Sequence, residues 1–402
     1  MKIGLYTEFL PRNVLGGREF IAAVLYEALA IDHAVEFVHH NPELTAQNFA
    51  HQFGPGTAGM ALRYVEWDPM PSQKNPWRRH HEEQTWHAGV SEPYDLFVNI
   101  SHYFPPYCHA KAGFLMVLFP FHDPHAVLDF ESPAFRGVVL RRLRRLFHVW
   151  QWRRRLGTYH TKTAISKFSQ LWTRRRWGIE TDVLYPPADA IARPAEKDPL
   201  IISVGRFSVA GVLKRQDAMM RAFAEAAPEL GGWRYVSTGG AGRSPEEHAF
   251  VAEVERLRGS TAAQVQPNMS RDELAALYSR AAIFWHAAGF EQDEEKSPGL
   301  AEHYGIATVE AMFAGCVPVV IRKGAQPEIV EHGVNGFLWD SLEELQQHTR
   351  TLAADPLLRA RMSAAATQRA EQLSRGRFIS EFMELARLRH EPPSPVGPRD
   401  VT

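Results

Sequence analysis

Short apolar runs bounded by turn residues alternate with helix-period segments along this chain, and that alternation constrains the fold more than any other feature. Lys2 to Tyr6 reads as a buried strand. A Gly16-Gly17 turn follows, then a helical period from Arg18 to Leu29 with Phe20, Ile21, Val24, Leu25 and Leu29 on one face. Val35 to Val38, Leu96 to Ile100 and Phe114 to Phe119 read as further strands. Alternating strands and helices imply a parallel sheet covered by helices on both faces.

The pattern breaks between Tyr185 and Pro199, a stretch with four prolines and little apolar content that reads as a linker. A second α/β unit then begins. Its expected strands are Leu200 to Val204, Trp233 to Ser237, Ala263 to Val265, Ile283 to Trp285 and Val317 to Ile321, with a helix from Gln216 to Ala226. A chain of 402 residues accommodates two to three domains of about 150 residues. We divide it into 1–190, 191–375, a helical segment 376–390 carrying Phe378, Phe382 and Leu385 on one face, and a Pro-rich tail 391–402 expected to be disordered. Two such units leave a cleft between them, and open α/β sheets bind ligands at the carboxyl ends of their strands.

Composition removes several function classes. Lys and Arg number 45 against 46 Asp and Glu, which argues against a dedicated nucleic-acid binder. Two cysteines, Cys108 and Cys316, make no disulfide framework and suit a reducing compartment. The apolar start is too short for a signal-peptide core. The longest uncharged apolar stretch, Gly113 to Phe121, falls far short of the ~20 residues that span a bilayer. The expected protein is soluble and cytoplasmic, with any membrane contact peripheral.

The most informative stretch for chemistry is Glu302-His303-Tyr304-Gly305-Ile306-Ala307-Thr308-Val309-Glu310-Ala311-Met312. Gly305 is expected to open a helix running to about Gly315. A helix start leaves backbone N–H groups unpaired, here those of Ile306, Ala307 and Thr308. The helix dipole makes such a start attractive to an anion such as a diphosphate. A carboxylate is a poor neighbour for phosphate but a strong acceptor for hydroxyls. Glu302 and Glu310 could each hold a polyol on either side of a diphosphate, which describes a nucleotide sugar. The plainer alternative makes them capping or surface carboxylates.

Two glutamates separated by seven residues in this setting resemble the signature of the retaining GT4 glycosyltransferases. Ala314-Gly315-Cys316-Val317-Pro318-Val319-Val320, Gln326-Pro327-Glu328-Ile329-Val330 and Gly333-Val334-Asn335-Gly336-Phe337-Leu338 follow in the family's order. The resemblance covers residues 160 to 385 well and the first half more loosely. It implies a GT-B fold, two Rossmann-like domains facing across a cleft, with the last helix crossing back onto the first domain. It assigns Glu310 to the ribose hydroxyls and Glu302 to the transferred sugar. Ser203-Val204-Gly205-Arg206-Phe207 with Lys214-Arg215-Gln216-Asp217 supplies two cations for the donor diphosphate, assigned to Arg206 and Lys214. The loop between them is longer than the common pattern, so Lys214 or Arg215 could be the one that reaches the phosphate. Gly16 and Gly17 let backbone approach a ligand closely, and similar proteins use this loop near donor and acceptor.

The resemblance also points to His122, in Pro120-Phe121-His122-Asp123-Pro124, as the histidine beside sugar and acceptor. His102, at the end of the preceding strand, is its competitor, and His286 could line the sugar pocket. Each has a plain reading as a packed structural histidine. The cluster His80-His81-Glu82-Glu83 with His87 lacks zinc-protease spacing, and no Cys-x-x-Cys or Asp-x-Asp occurs, so no metal is expected.

From Arg136 to Arg176 there are thirteen Lys or Arg residues and no Asp or Glu. Val139, Leu140, Leu143, Leu146, Phe147 and Trp150 share a helical face there, opposite Arg141, Arg142, Arg144 and Arg145. The plain reading buries the apolar face in the core. The alternative lays a basic amphipathic helix on an anionic membrane.

The function implied is transfer of a hexose from GDP-mannose or a UDP-hexose, with retention, to a glycan or lipid-linked hydroxyl in polysaccharide or glycolipid assembly. No cofactor beyond the nucleotide sugar and no nucleic-acid partner is expected. A phosphorylase of the same fold and a non-catalytic nucleotide-sugar binder are the alternatives.

Overall fold

The computed structural model describes residues 1–10, 15–68, 76–125, 135–192, 194–242 and 244–388. The tail 391–402 assigned to disorder lies outside them. Among the described residues, two parallel sheets account for every strand. The first contains β1 (Lys2–Thr7), β2 (Ala34–His39), β3 (Ala61–Tyr64), β4 (Leu96–Ser101), β5 (Ala112–Val117), β6 (Thr161–Ala164) and β7 (Asp182–Val183), in the order β3-β2-β1-β4-β5-β6-β7. The second contains β8 (Leu200–Val204), β9 (Arg234–Gly239), β10 (Ala263–Pro267), β11 (Ile283–His286), β12 (Val317–Ile321) and β13 (Phe337–Trp339), in the order β10-β9-β8-β11-β12-β13.

Both orders reverse direction once, between β1 and β4 and between β8 and β11. The loops leaving the two strands at such a reversal run to opposite faces, which opens a crevice at their carboxyl ends. The central strands are apolar on both faces because helices cover both. Leu96 to Ser101 and Val317 to Ile321 are buried throughout. Full burial of side chains of this size contributes about 1.5–3 kcal/mol each.

One strand end differs from expectation. β5 stops at Val117 rather than Phe119, and the chain turns so that Phe119 and Phe121 both pack on His303 of the second unit. The helix Arg375–Leu385 lies against the first unit. Phe382 meets Phe114 with ring centroids 4.8 Å apart, and Arg375 pairs with Glu27. A further contact joins the units at Glu328. Its carboxylate accepts from the amides of Lys167 and Phe168, at 2.8 Å each, and from the Tyr185 hydroxyl at 2.9 Å. Glu328 thereby satisfies two free N–H groups at the start of the helix Lys167–Trp177.

Candidate functional site

The site grows from the two strand reversals. On the second unit, the chain leaving β8 carries Gly205 and Arg206, and β11 ends at His286. Glu302 lies on the connection between β11 and β12, just ahead of the helix Ile306–Phe313. Its Oε2 accepts from Lys214 Nζ and, at 3.0 Å, from His286 Nε2. Burial alone would raise the Glu302 carboxyl, but Lys214 and His286 outweigh it and hold the group well below the usual carboxylate range. Burial pushes the His286 imidazole down despite the carboxylate beside it, so a neutral ring donates to an ionised Glu302.

Lys214 reaches Glu302 by laying its stem over Gly205, where a Cβ would collide with it. Arg215, in the left-handed region at φ 55°, turns the other way. Its guanidinium is held by Asp217, Glu291 and the Phe290 carbonyl, which leaves Lys214 as the cation on the Glu302 side. Arg206 is exposed and carries no ion pair among the described residues.

Gly305 caps the helix Ile306–Phe313 at φ 112°, and Thr308 N already bonds to the Gly305 carbonyl at 3.0 Å. The amides of Ile306 and Ala307 precede the helical ladder, as expected for an anion-facing start. The Thr308 hydroxyl donates to Gln326 Oε1 at 3.1 Å. The structure brings the Gly16-Gly17 turn to this helix start, since a Cβ on Gly17 would sit 3.5 Å from Ile306 Cδ1. Glu310, one turn along the helix, is half-buried against Tyr278. Burial and then Asp189 push its carboxyl up from 4.5 to about 8.

The two histidine candidates part company. His122 sits 3.2 Å, Nε2 to Nε2, from His148, packs at a tilt on Trp152 with ring centroids 4.4 Å apart, and accepts from Trp177 at its carbonyl. Burial, then His148 and Arg155, lower it to about 4. All these contacts lie within the first unit, and none of the Glu302 group is among them. His102 is the histidine whose electrostatic neighbours are Arg18, His303 and Arg206, and its Nδ1 has no partner among the described residues. Its ring lies 6.3 Å from that of His303.

His102 was the competing sequence candidate for the histidine position, whereas Arg18 and His303 were not assigned roles from the sequence. Position alone marks them: Arg18 follows the Gly pair, His102 follows β4 at the reversal, and His303 adjoins Glu302. No group of three or more His, Cys, Asp or Glu suited to a metal occurs among the described residues. No described helix is long and apolar enough to cross a membrane.

Two Rossmann-like units, each a parallel sheet whose strand order reverses once, define a GT-B fold. Solved structures agree on that fold. An Anabaena HepE structure with UDP and glucose aligns at a TM-score of 0.64 and 16% identity, over 95% of this chain and 98% of that one. A Thermosynechococcus elongatus sucrose-phosphate synthase aligns at 0.64 and 15%, over 96% and 98%.

Residues 188–369 match the family model described as Glycosyl transferases group 1. Among curated relatives, a D-inositol 3-phosphate glycosyltransferase of Nocardiopsis dassonvillei is 26% identical over 223 residues, 52% of this chain and 48% of that protein. A GDP-Man:Man(3)GlcNAc(2)-PP-Dol alpha-1,2-mannosyltransferase of Dictyostelium discoideum is 24% identical over 237 residues, 53% and 43%. The matched region thus spans about half the length of these relatives.

Proposed function

We propose that this protein is a retaining hexosyltransferase that moves a sugar from a nucleotide diphosphate donor to a hydroxyl of a glycan or lipid-linked acceptor. The observation that carries the reading is the ionised Glu302, fixed by Lys214 and His286 beside the helix start at Gly305. The helix amides, Arg206 and Lys214 suit a diphosphate, Glu310 suits ribose hydroxyls, and Glu302 suits sugar hydroxyls. Mannosyl transfer from GDP-mannose is favoured over a UDP-hexose by the names of the mannosyltransferase relatives.

In the reaction proposed, the acceptor oxygen bonds to the anomeric carbon on the face the diphosphate leaves. The bond from that carbon to the phosphate oxygen breaks, and the acceptor proton passes to the departing diphosphate. Arg206, Lys214 and the helix amides stabilise its growing charge, an effect worth about 10²–10³ in rate per donor. No metal is required, because these cations do that work. We place the reaction on the cytoplasmic side of a membrane, in keeping with two buried free thiols.

The test is incubation with sugar nucleotides and simple acceptors in a chelator, following nucleoside diphosphate release and the anomeric configuration of the product. Retained configuration without metal is expected. Inversion, a metal requirement, or phosphate-dependent turnover without nucleotide contradicts the reading.

A further inference from the structure

The helix Phe135–Leu156 is packed by one side of its C-terminal part. Trp152, Arg155 and Leu156 are buried, and His148, one turn before Trp152, bonds to His122. At 100° per residue, Leu146, Phe147 and Trp150 fall on the opposite side. They are 60%, 57% and 52% exposed. For Leu146, Phe147 and Trp150 the plain sequence reading, burial in the core, does not hold, and the side chains of Val139, Leu140 and Leu143 lie outside those described. The core takes the other side, and three large apolar side chains face out.

That outward face is organised. Phe147 and Trp150 stack at 5.8 Å, and the Arg154 guanidinium lies over the Trp150 ring at 5.6 Å. Arg142, Arg145, Arg153 and Arg154 are exposed around them. No acidic residue occurs between Arg136 and Arg176 to neutralise the patch, although the whole chain is near neutral at −1.

We propose that this face docks the protein on an anionic phospholipid surface, with Leu146, Phe147 and Trp150 entering the headgroup boundary and the arginines pairing with lipid phosphates. An apolar centre ringed by arginine is the arrangement that an anionic interface satisfies twice, by burial and by charge. Nucleic acid would satisfy the charge and leave the apolar centre wet. A second copy would cover the apolar centre but set the two arginine rings against each other.

The buried side of the helix adjoins the segment bearing Phe119, Phe121 and His122, whose phenylalanines touch His303. Docking therefore sets that segment one helix diameter, about 10 Å, from the lipid surface. The consequence, delivery of a lipid-linked acceptor, rests on the transferase reading; the docking itself does not.

The test is flotation of the full chain with vesicles of phosphatidylcholine alone and of equal parts phosphatidylcholine and phosphatidylglycerol. Flotation with the anionic vesicles only, weakened by added salt, is expected. The triple variant Leu146→Ser, Phe147→Ser, Trp150→Ser and the quadruple variant Arg142→Glu, Arg145→Glu, Arg153→Glu, Arg154→Glu should each reduce the bound fraction about tenfold or more. Both should keep the wild-type melting temperature and turnover on a soluble acceptor.

No flotation of the wild type, or flotation unchanged in either variant, overturns the proposal. So does retention on an RNA oligomer that only the charge variant loses, or a concentration-dependent dimer that only the apolar variant dissolves. Vesicle binding without any nucleotide-induced rise in melting temperature would sink the transferase reading and leave the docking surface standing.

Discussion

At the scale of single residues, the account turns on how charges are held before a donor arrives. Arg206 is exposed and free of ion pairs among the described residues, so Arg206→Ala should leave stability within about 0.5 kcal/mol of wild type. Its turnover should fall roughly 10²–10³-fold with a smaller change in KM. Steady-state kinetics on that variant check the charge-stabilisation role, and unchanged turnover removes it. Glu310 offers a pH test. Its carboxyl is raised from 4.5 to about 8 in the folded protein, so the folded state binds the proton more tightly than the unfolded chain. The stability this provides is full below about 4.5 and is lost as pH climbs through about 8. Glu310→Gln lacks this titration. Melting curves across that window should show the wild type losing ground against the variant as pH rises, and parallel curves would contradict the burial argument.

Residue identities were partly legible. The places of the Glu302 motif, the Gly pair, Arg206 and Lys214 at a strand end or helix start were legible, because each is a local pattern. The choice between Lys214 and Arg215 was not, since it depends on Asp217, Glu291 and the Phe290 carbonyl capturing Arg215. His122 was placed by counting from a strand that ends two residues earlier than its apolar run suggests.

At the scale of elements, strands buried on both faces were recovered because a continuous apolar run carries its own signal. The strands β3, β6, β7 and β13 were missed. They have four, four, two and three residues, too few for a period to show. The helix Phe135–Leu156 was found, but its orientation was not, because apolar side chains occur on two sides and only contact with the sheet decides between them. Gly324 ties an element to the site. It sits at φ 59°, and a Cβ there would collide with the Glu302 carbonyl, which also accepts from Ala325 N at 2.8 Å. Gly324→Ala should cost about 1–3 kcal/mol and shift Glu302 off Lys214. Thermal melts and turnover should both fall; a variant that melts like wild type would show that the connection yields freely.

At the scale of the whole molecule, the two α/β units were legible, whereas the contacts joining the units were not. Glu328 lies within a recognisable Gln-Pro-Glu run, yet its work is done on the helix Lys167–Trp177 of the other unit. Glu328→Ala removes three hydrogen bonds to a charged acceptor and should destabilise the protein by about 1.5–3 kcal/mol. It should also separate one cooperative calorimetric transition into two, and a single unshifted transition would show that the units are joined elsewhere.

The proposed function rests on the Glu302, Lys214, Arg206 and Gly305 constellation being a metal-independent site for a nucleotide diphosphate sugar. Titration calorimetry of GDP, UDP, ADP and their hexose conjugates, in a chelator, tests it most directly. The account predicts that one nucleotide family binds the wild type without divalent metal and that Arg206→Ala combined with Lys214→Ala abolishes that binding. Binding that survives the double variant, binding that appears only with magnesium, or no binding by any of the ligands would contradict it.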